Sequence, residues 1–119
     1  MMENLKNPYS SVRVKNLVAE LEAEDPPMLV DVRPPDLFAD SHIAGSINIP
    51  QDDLSARAGE FPEDRDAPIV MICGIGKFSK ETVLYMKSLG YRQVRNLKGG
   101  VGEWSRKGQS LESSAIEAK

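Results

Sequence analysis

Residues 69–81 hold the strongest constraint on the fold: an apolar run, a cysteine, two closely spaced glycines and a helical repeat, with no spacer between them. Ile69, Val70, Met71 and Ile72 are all apolar, three of them β-branched, and read as a short buried strand. Cys73, the only cysteine in the chain, comes next. Gly74, Ile75 and Gly76 follow, and glycine lets a backbone turn sharply. After Ser79, the residues Val83, Leu84, Met86 and Leu89 recur at helical spacing up to Gly90, a helix stop. A strand that hands over to a helix through so tight a loop puts Cys73 at the C-terminal end of the strand, at the mouth of the loop.

The same alternation runs along the chain. Residues 11–14 read as a short edge strand. Leu17, Val18 and Leu21 then give a helix with Glu20, Glu22 and Glu24 outward, broken by Asp25-Pro26-Pro27. Residues 28–32 form a second apolar strand leading into Arg33-Pro34-Pro35. Residues 36–40 suit a short helix carrying Leu37 and Phe38 inward, and residues 43–50 a turn and a brief strand. A polar helix is expected from Gln51 to near Phe61-Pro62. Residues 93–97 give the last strand, Gly99-Gly100 a turn, and residues 101–107 a final helix that places Trp104. Residues 1–10 read as a loose lead-in, and the Ser- and Glu-rich residues 109–119 as a frayed, flexible tail. Strands alternating with helices over so short a chain predict an α/β domain with a mostly parallel sheet. Ligands gather at the C-terminal ends of strands in such sheets. Both Cys73 and Asp31-Val32-Arg33 are expected there.

Composition narrows the class. With 119 residues, the chain has enough for one domain and too few for two. A net charge of 15 − 18 = −3 argues against nucleic acid as a general partner. A single cysteine excludes an internal disulfide framework and makes a structural zinc site implausible. No apolar run approaches the roughly 20 residues of a membrane span, and residues 1–11 lack the apolar core of a secretion signal. A soluble, cytoplasmic protein with no membrane partner is expected.

The cysteine is a nucleophile only as its thiolate, and a free thiol has a pKa of about 8.5. Lowering that by about two units needs roughly 2.7 kcal/mol of preferential stabilisation. A helix N-terminus offers up to about 2 kcal/mol in partly buried geometry, and hydrogen bonds to an anion are worth about 1.5–3 kcal/mol each. Lys77 and Lys80 add positive charge. A reactive Cys73 is therefore physically reasonable, as is an inert buried one. Gly74 and Gly76 favour the first, since paired glycines serve a turn or a close backbone approach to a ligand.

Four pieces of the chain, in order and in spacing, resemble a rhodanese domain. They are Asp31-Val32-Arg33; Ser41-His42-Ile43-Ala44-Gly45-Ser46-Ile47-Asn48-Ile49-Pro50; Cys73-Gly74-Ile75-Gly76; and Leu97-Lys98-Gly99-Gly100 followed by Trp104. The resemblance covers residues 11–108. It implies a central, mostly parallel five-stranded sheet flanked by helices on both faces. It also implies one catalytic cysteine, Cys73, that carries a sulfane sulfur as a persulfide. The donor would be thiosulfate or a persulfide, a protein persulfide among them, and the acceptor cyanide or a thiol, with no metal and no organic cofactor. Gly74, Ile75, Gly76, Lys77, Phe78 and Ser79 would form the loop whose amides cradle the sulfur. Asp31 and Arg33 would pair and stiffen the floor beneath it, so that Arg33→Ala lowers activity in a folded protein. His42 would support the site as a structural turn residue.

The chain departs from the family pattern in three places. Many members carry Arg five residues after the cysteine, where this chain has Phe78; Ser41 replaces a common Gly; and Leu37 replaces an acidic residue, with Asp36 one place earlier. Phe78 removes a bidentate guanidinium that would grip an oxyanion. No arginine lies between Arg65 and Arg92, which argues against the related phosphatases. The alternative is a rhodanese-fold binding or redox-sensing module without sulfur transfer.

Overall fold

The computed structural model describes residues 10–114. Five strands, β1 (Ser11–Val12), β2 (Met28–Asp31), β3 (Ile47–Asn48), β4 (Ile69–Ile72) and β5 (Val94–Leu97), form one sheet in the order β1-β5-β4-β2-β3. Every pairing is parallel. Four α-helices accompany them: α1 (Val14–Leu21), α2 (Pro35–Asp40), α3 (Ser79–Ser88) and α4 (Gly100–Arg106). Parallel neighbours need crossover connections, and helices supply them.

Alternation along the strands divides the core in two. Val30, Ile69, Met71, Cys73 and Val94 lie in one cluster with Val83 and Met86 of α3 and with Leu54 and Phe61. Leu29, Val70, Ile72 and Leu97 lie in the other, with Leu17 of α1 and with Val101 and Trp104 of α4. Successive strand residues face opposite sides, so an unbroken apolar run is what a strand covered on both faces requires. All four residues of β4 are buried, and β4 is the central strand. The parity also puts Cys73 in the α3 cluster, two residues beyond Met71.

Several local expectations give way. Val14 opens α1 instead of closing β1. Leu37, expected inward, is 47% exposed, because the neighbouring Phe38 stacks on His42 with ring centroids 3.9 Å apart. Adjacent helical residues point about 100° apart, and this short helix cannot bury both. Leu84 of α3 is exposed for the same reason, beside buried Val83. No α-helix forms between Gln51 and Phe61: the chain makes two 3-10 turns, Gln51–Asp53 and Ala58–Glu60, which seat Leu54 and Phe61 in the core.

The segment after Gly108, expected to fray, is tied to the body as far as Ser114. His42 and Glu112 exchange backbone hydrogen bonds of 2.8 Å, and Ser114 N–H donates to the Ala39 carbonyl at 2.7 Å. The Trp104 indole N–H donates to the Ser110 carbonyl at 3.0 Å. Residues 1–9 and 115–119, which include most of the expected lead-in and the end of the tail, lie outside the described residues. Among the described residues no helix is long and apolar enough to cross a membrane.

Candidate functional site

The site is built where β4 ends. Cys73 is 3% exposed, and its sulfur accepts hydrogen bonds from the Gly76 N–H at 3.0 Å and the Ser79 N–H at 3.4 Å. The Ser79 hydroxyl lies 3.3 Å from the same sulfur. Ser79 opens α3, so two of these three donors sit at the start of a helix and the third in the loop that leads to it.

These donors decide the ionisation of the thiol. Burial pushes the Cys73 pKa up, but the Ser79 hydroxyl and the amides of Ser79, Ile75 and Gly76 outweigh it and bring the pKa below the ordinary thiol value. No lysine is among the causes, so the charge expected from Lys77 and Lys80 is replaced by hydrogen bonding. Lys77 is exposed at the loop surface. A folded-state pKa below the unfolded value contributes stability that is present above about pH 8.5 and is lost as pH falls through the folded-state pKa. Removing the Ser79 hydroxyl takes away the largest lowering cause. Ser79→Ala is therefore expected to raise the midpoint of iodoacetamide labelling by about one unit or more, since a hydrogen bond to an anion is worth roughly 1.5–3 kcal/mol. An unmoved midpoint would contradict this account.

The loop takes its shape from a second glycine pair, 23 residues after Gly76 (99 − 76 = 23). A Cβ on Gly76 would lie 2.6 Å from the Gly99 nitrogen and 2.9 Å from the Leu97 carbonyl oxygen. The close approach expected at this glycine, there to a ligand, is instead to the backbone of the β5–α4 turn. The Val101 and Gly102 amides at the start of α4 donate to the Cys73 and Gly74 carbonyls at 2.9 and 2.8 Å. Gly74 itself has open space around its missing Cβ.

Asp31 and Arg33 form the expected pair beside this loop. Asp31 sits opposite Ile72 in the sheet register and is fully buried. The Arg33 side chain donates from Nε to Asp31 Oδ1 at 3.0 Å and from Nη2 to Oδ2 at 2.8 Å, and the Arg33 backbone N–H also donates to Oδ1. Nη2 reaches on to the Ser41 carbonyl at 2.6 Å. His42 stands apart from the sulfur: Nδ1 contacts the Phe38 carbonyl at 2.7 Å, and Nε2 lies 3.8 Å from Glu112. Ile75 and Phe78 are 66% and 59% exposed, so the loop presents two apolar side chains beside Lys77, and Phe78 stands where the family pattern has a guanidinium. Trp104 packs in the core on the α4 face. Among the described residues no three His, Cys, Asp or Glu side chains are grouped to hold a metal ion.

Two features escaped sequence reading. A cleft of about 900 Å³ adjoins the loop, lined in part by Arg13, Lys15, Ile75, Gly76, Asn96 and Lys98. Asn96 of β5 is 1% exposed, and its Oδ1 accepts a hydrogen bond from the Ser79 hydroxyl. Strand parity places Asn96 on the α3 side, but no local signal pairs it with a serine 17 residues earlier.

A cysteine at the end of a central parallel strand, its sulfur held by the amides of the following loop, defines a class of thiol site on an α/β scaffold. The chain belongs to the rhodanese-like domain family, whose model matches residues 14–107. It is 36% identical over 81 residues to a sulfurtransferase of Allochromatium vinosum, covering 68% of this chain and 74% of that protein. It is 34% identical over 88 residues to the thiosulfate sulfurtransferase GlpE of Pseudomonas fluorescens, covering 72% and 77%. The crystal structure of the Alr3790 protein from Anabaena sp. superposes with a TM-score of 0.79 at 27% identity, covering 90% of this chain and 86% of that one.

Proposed function

We propose that the protein is a sulfurtransferase that carries a sulfane sulfur on Cys73. The observation that carries this reading is the convergence of the Gly76 amide, the Ser79 amide and the Ser79 hydroxyl on one sulfur. Such donors favour an anion at that sulfur, both as the attacking thiolate and as the leaving thiolate when the second sulfur is passed on. The Cys73 thiolate attacks the outer sulfur of thiosulfate, and the donor S–S bond breaks with its electron pair leaving on sulfite. A persulfide anion remains on Cys73. Cyanide or a thiolate then attacks the outer sulfur, forming thiocyanate or a new persulfide and restoring the thiolate. A persulfide donor runs the same first step with a thiolate leaving in place of sulfite. The exposed apolar side chains of Ile75 and Phe78 favour that donor over a tightly gripped oxyanion. A lone thiol that must return to its reduced state suits a reducing compartment such as the cytoplasm.

Intact-protein mass after incubation with thiosulfate tests the reading, on the wild type and on Cys73→Ser. The expected result is a gain of one sulfur atom on the wild type alone, removed by cyanide. A gain with a persulfide donor only keeps the carrier and assigns the donor. No gain with either donor overturns the reading in favour of a binding or redox-sensing module.

A further inference from the structure

Ser79 has one hydroxyl hydrogen and two acceptors within its reach, the Cys73 sulfur at 3.3 Å and Asn96 Oδ1. It can donate to only one of them at a time. Behind it, Asn96 Nδ2 is a buried donor with no hydrogen-bond partner. Buried polar atoms are paired in the great majority of cases, so an orphan donor one bond from a thiol's partner calls for a physical account.

We propose that Asn96 is a positioning residue for the Cys73 thiol, acting through Ser79 by presenting either end of its amide to the hydroxyl. With the thiol protonated, the S–H donates to Ser79 Oγ and the Ser79 hydroxyl donates to Asn96 Oδ1. With the proton lost to solvent, the hydroxyl turns to donate to the sulfur, and Oδ1 is left without a donor. A half-turn of the amide then lets Nδ2 donate to Ser79 Oγ. The two bonds now run in one direction, from amide to hydroxyl to anion, and each polarises the next. The turn breaks no bond at Nδ2, because none exists there. Asparagine suits both states because its amide has a donor end and an acceptor end; a carboxylate has only acceptors.

The neighbouring charges do not perform this task. Lys77, Lys80 and Glu81 lie on the loop and α3, Asp31 and Arg33 are paired at the end of β2, Lys98 follows β5, and Glu103 on α4 is engaged with Arg106 and Lys107. None of them is among the causes of the lowered thiol pKa.

The inference rests on the reading that Cys73 works as a thiolate, and its test needs no sulfur donor. In the wild type, the side-chain amide resonances of Asn96 are followed by NMR against pH, beside iodoacetamide labelling of Cys73. The expected result is an Asn96 signal that titrates with the labelling midpoint and stops doing so in Ser79→Ala. In Asn96→Asp, a carboxylate that accepts the Ser79 hydrogen and cannot donate in return should hold the hydroxyl away from the sulfur and, with a smaller direct repulsion of the thiolate, slow labelling at pH 7 about tenfold or more, with the high-pH plateau unchanged. In the Ser79→Ala background that slowing should shrink to less than half on a logarithmic scale. An Asn96 amide that stays silent through the thiol titration overturns the proposal, as does an Asn96→Asp effect undiminished without Ser79. If Asn96→Asp fails to fold, the wild-type titration decides alone. A sulfur-uptake failure with the relay intact would overturn only the sulfurtransferase reading.

Discussion

Gly100→Ala is expected to destabilise the protein by about 2–5 kcal/mol and to disorganise the cysteine loop. Gly100 has a φ of +61°, in the left-handed region where an L side chain costs about 1–2 kcal/mol. An added Cβ would lie 2.2 Å from the Cys73 carbonyl oxygen and 2.7 Å from the Gly74 carbonyl carbon. Both are backbone atoms and cannot swing aside as a flexible side chain could. Overpacking of this kind costs about 1–3 kcal/mol more. The clash falls on the segment whose amides hold the thiol, so the Val101 and Gly102 bonds to the Cys73 and Gly74 carbonyls must lengthen or break. Urea unfolding of Gly100→Ala against wild type measures the loss, and iodoacetamide labelling at pH 7 reads the loop. Gly74→Ala is the control, since open space surrounds that position and its φ is not positive. A Gly100→Ala protein within about 1 kcal/mol of wild type would show that the two glycine turns do not interlock as described.

That interlock separates what the sequence could disclose from what it could not. The strands around Cys73 were legible because a strand covered on both faces must be apolar throughout, and β4 is. Helix α3 was legible in existence and extent, from the repeat ending at Gly90. Paired glycines beside a cysteine announced a close backbone approach, but the approaching partner, Gly99-Gly100, is distant in sequence and is found only once β4 and β5 pair. The polar stretch after Pro50 misled for another reason. Leu54 and Phe61 fit a helical face, yet each anchors a separate 3-10 turn, and Arg57 reaches back to the Asn48 carbonyl at 3.0 Å. Such tertiary ties override a weak local preference. Asn96 shows the same limit at the site itself. A buried polar residue in a strand signals a partner without naming it, and here the partner is the hydroxyl that also serves the sulfur.

Arg33→Ala is expected to cost about 3–5 kcal/mol of stability, the range for removing one partner of a buried ion pair. The sequence suggested a loss of activity in a folded protein; the burial of Asp31 moves the expected loss to folding. Asp31 has no exposed surface, and the Arg33 side chain is 11% exposed, so water cannot take over the guanidinium's three bonds to the carboxylate. One bond to the carboxylate survives, from the Arg33 backbone N–H, and Asn48 Nδ2 still ties the Asp31 and Arg33 carbonyls at 2.9 Å each. These hold the backbone but leave a buried negative charge without a countercharge. In a domain of this size 1 kcal/mol shifts Tm by about 4–8 °C, so a fall of about 12 °C or more is expected. The double variant Asp31→Leu with Arg33→Met removes both charges and should recover about 2 kcal/mol or more of the loss, short of wild type because Arg33 also serves the Ser41 carbonyl. Thermal and urea unfolding of the three proteins separates the cases. A single variant that loses less than about 1 kcal/mol, or a double variant no more stable than the single, would mean that the carboxylate finds another partner or stays hydrated. If the double variant folds and still takes up sulfur at Cys73, the pair serves the scaffold at the end of β2 and the chemistry belongs to the cysteine loop.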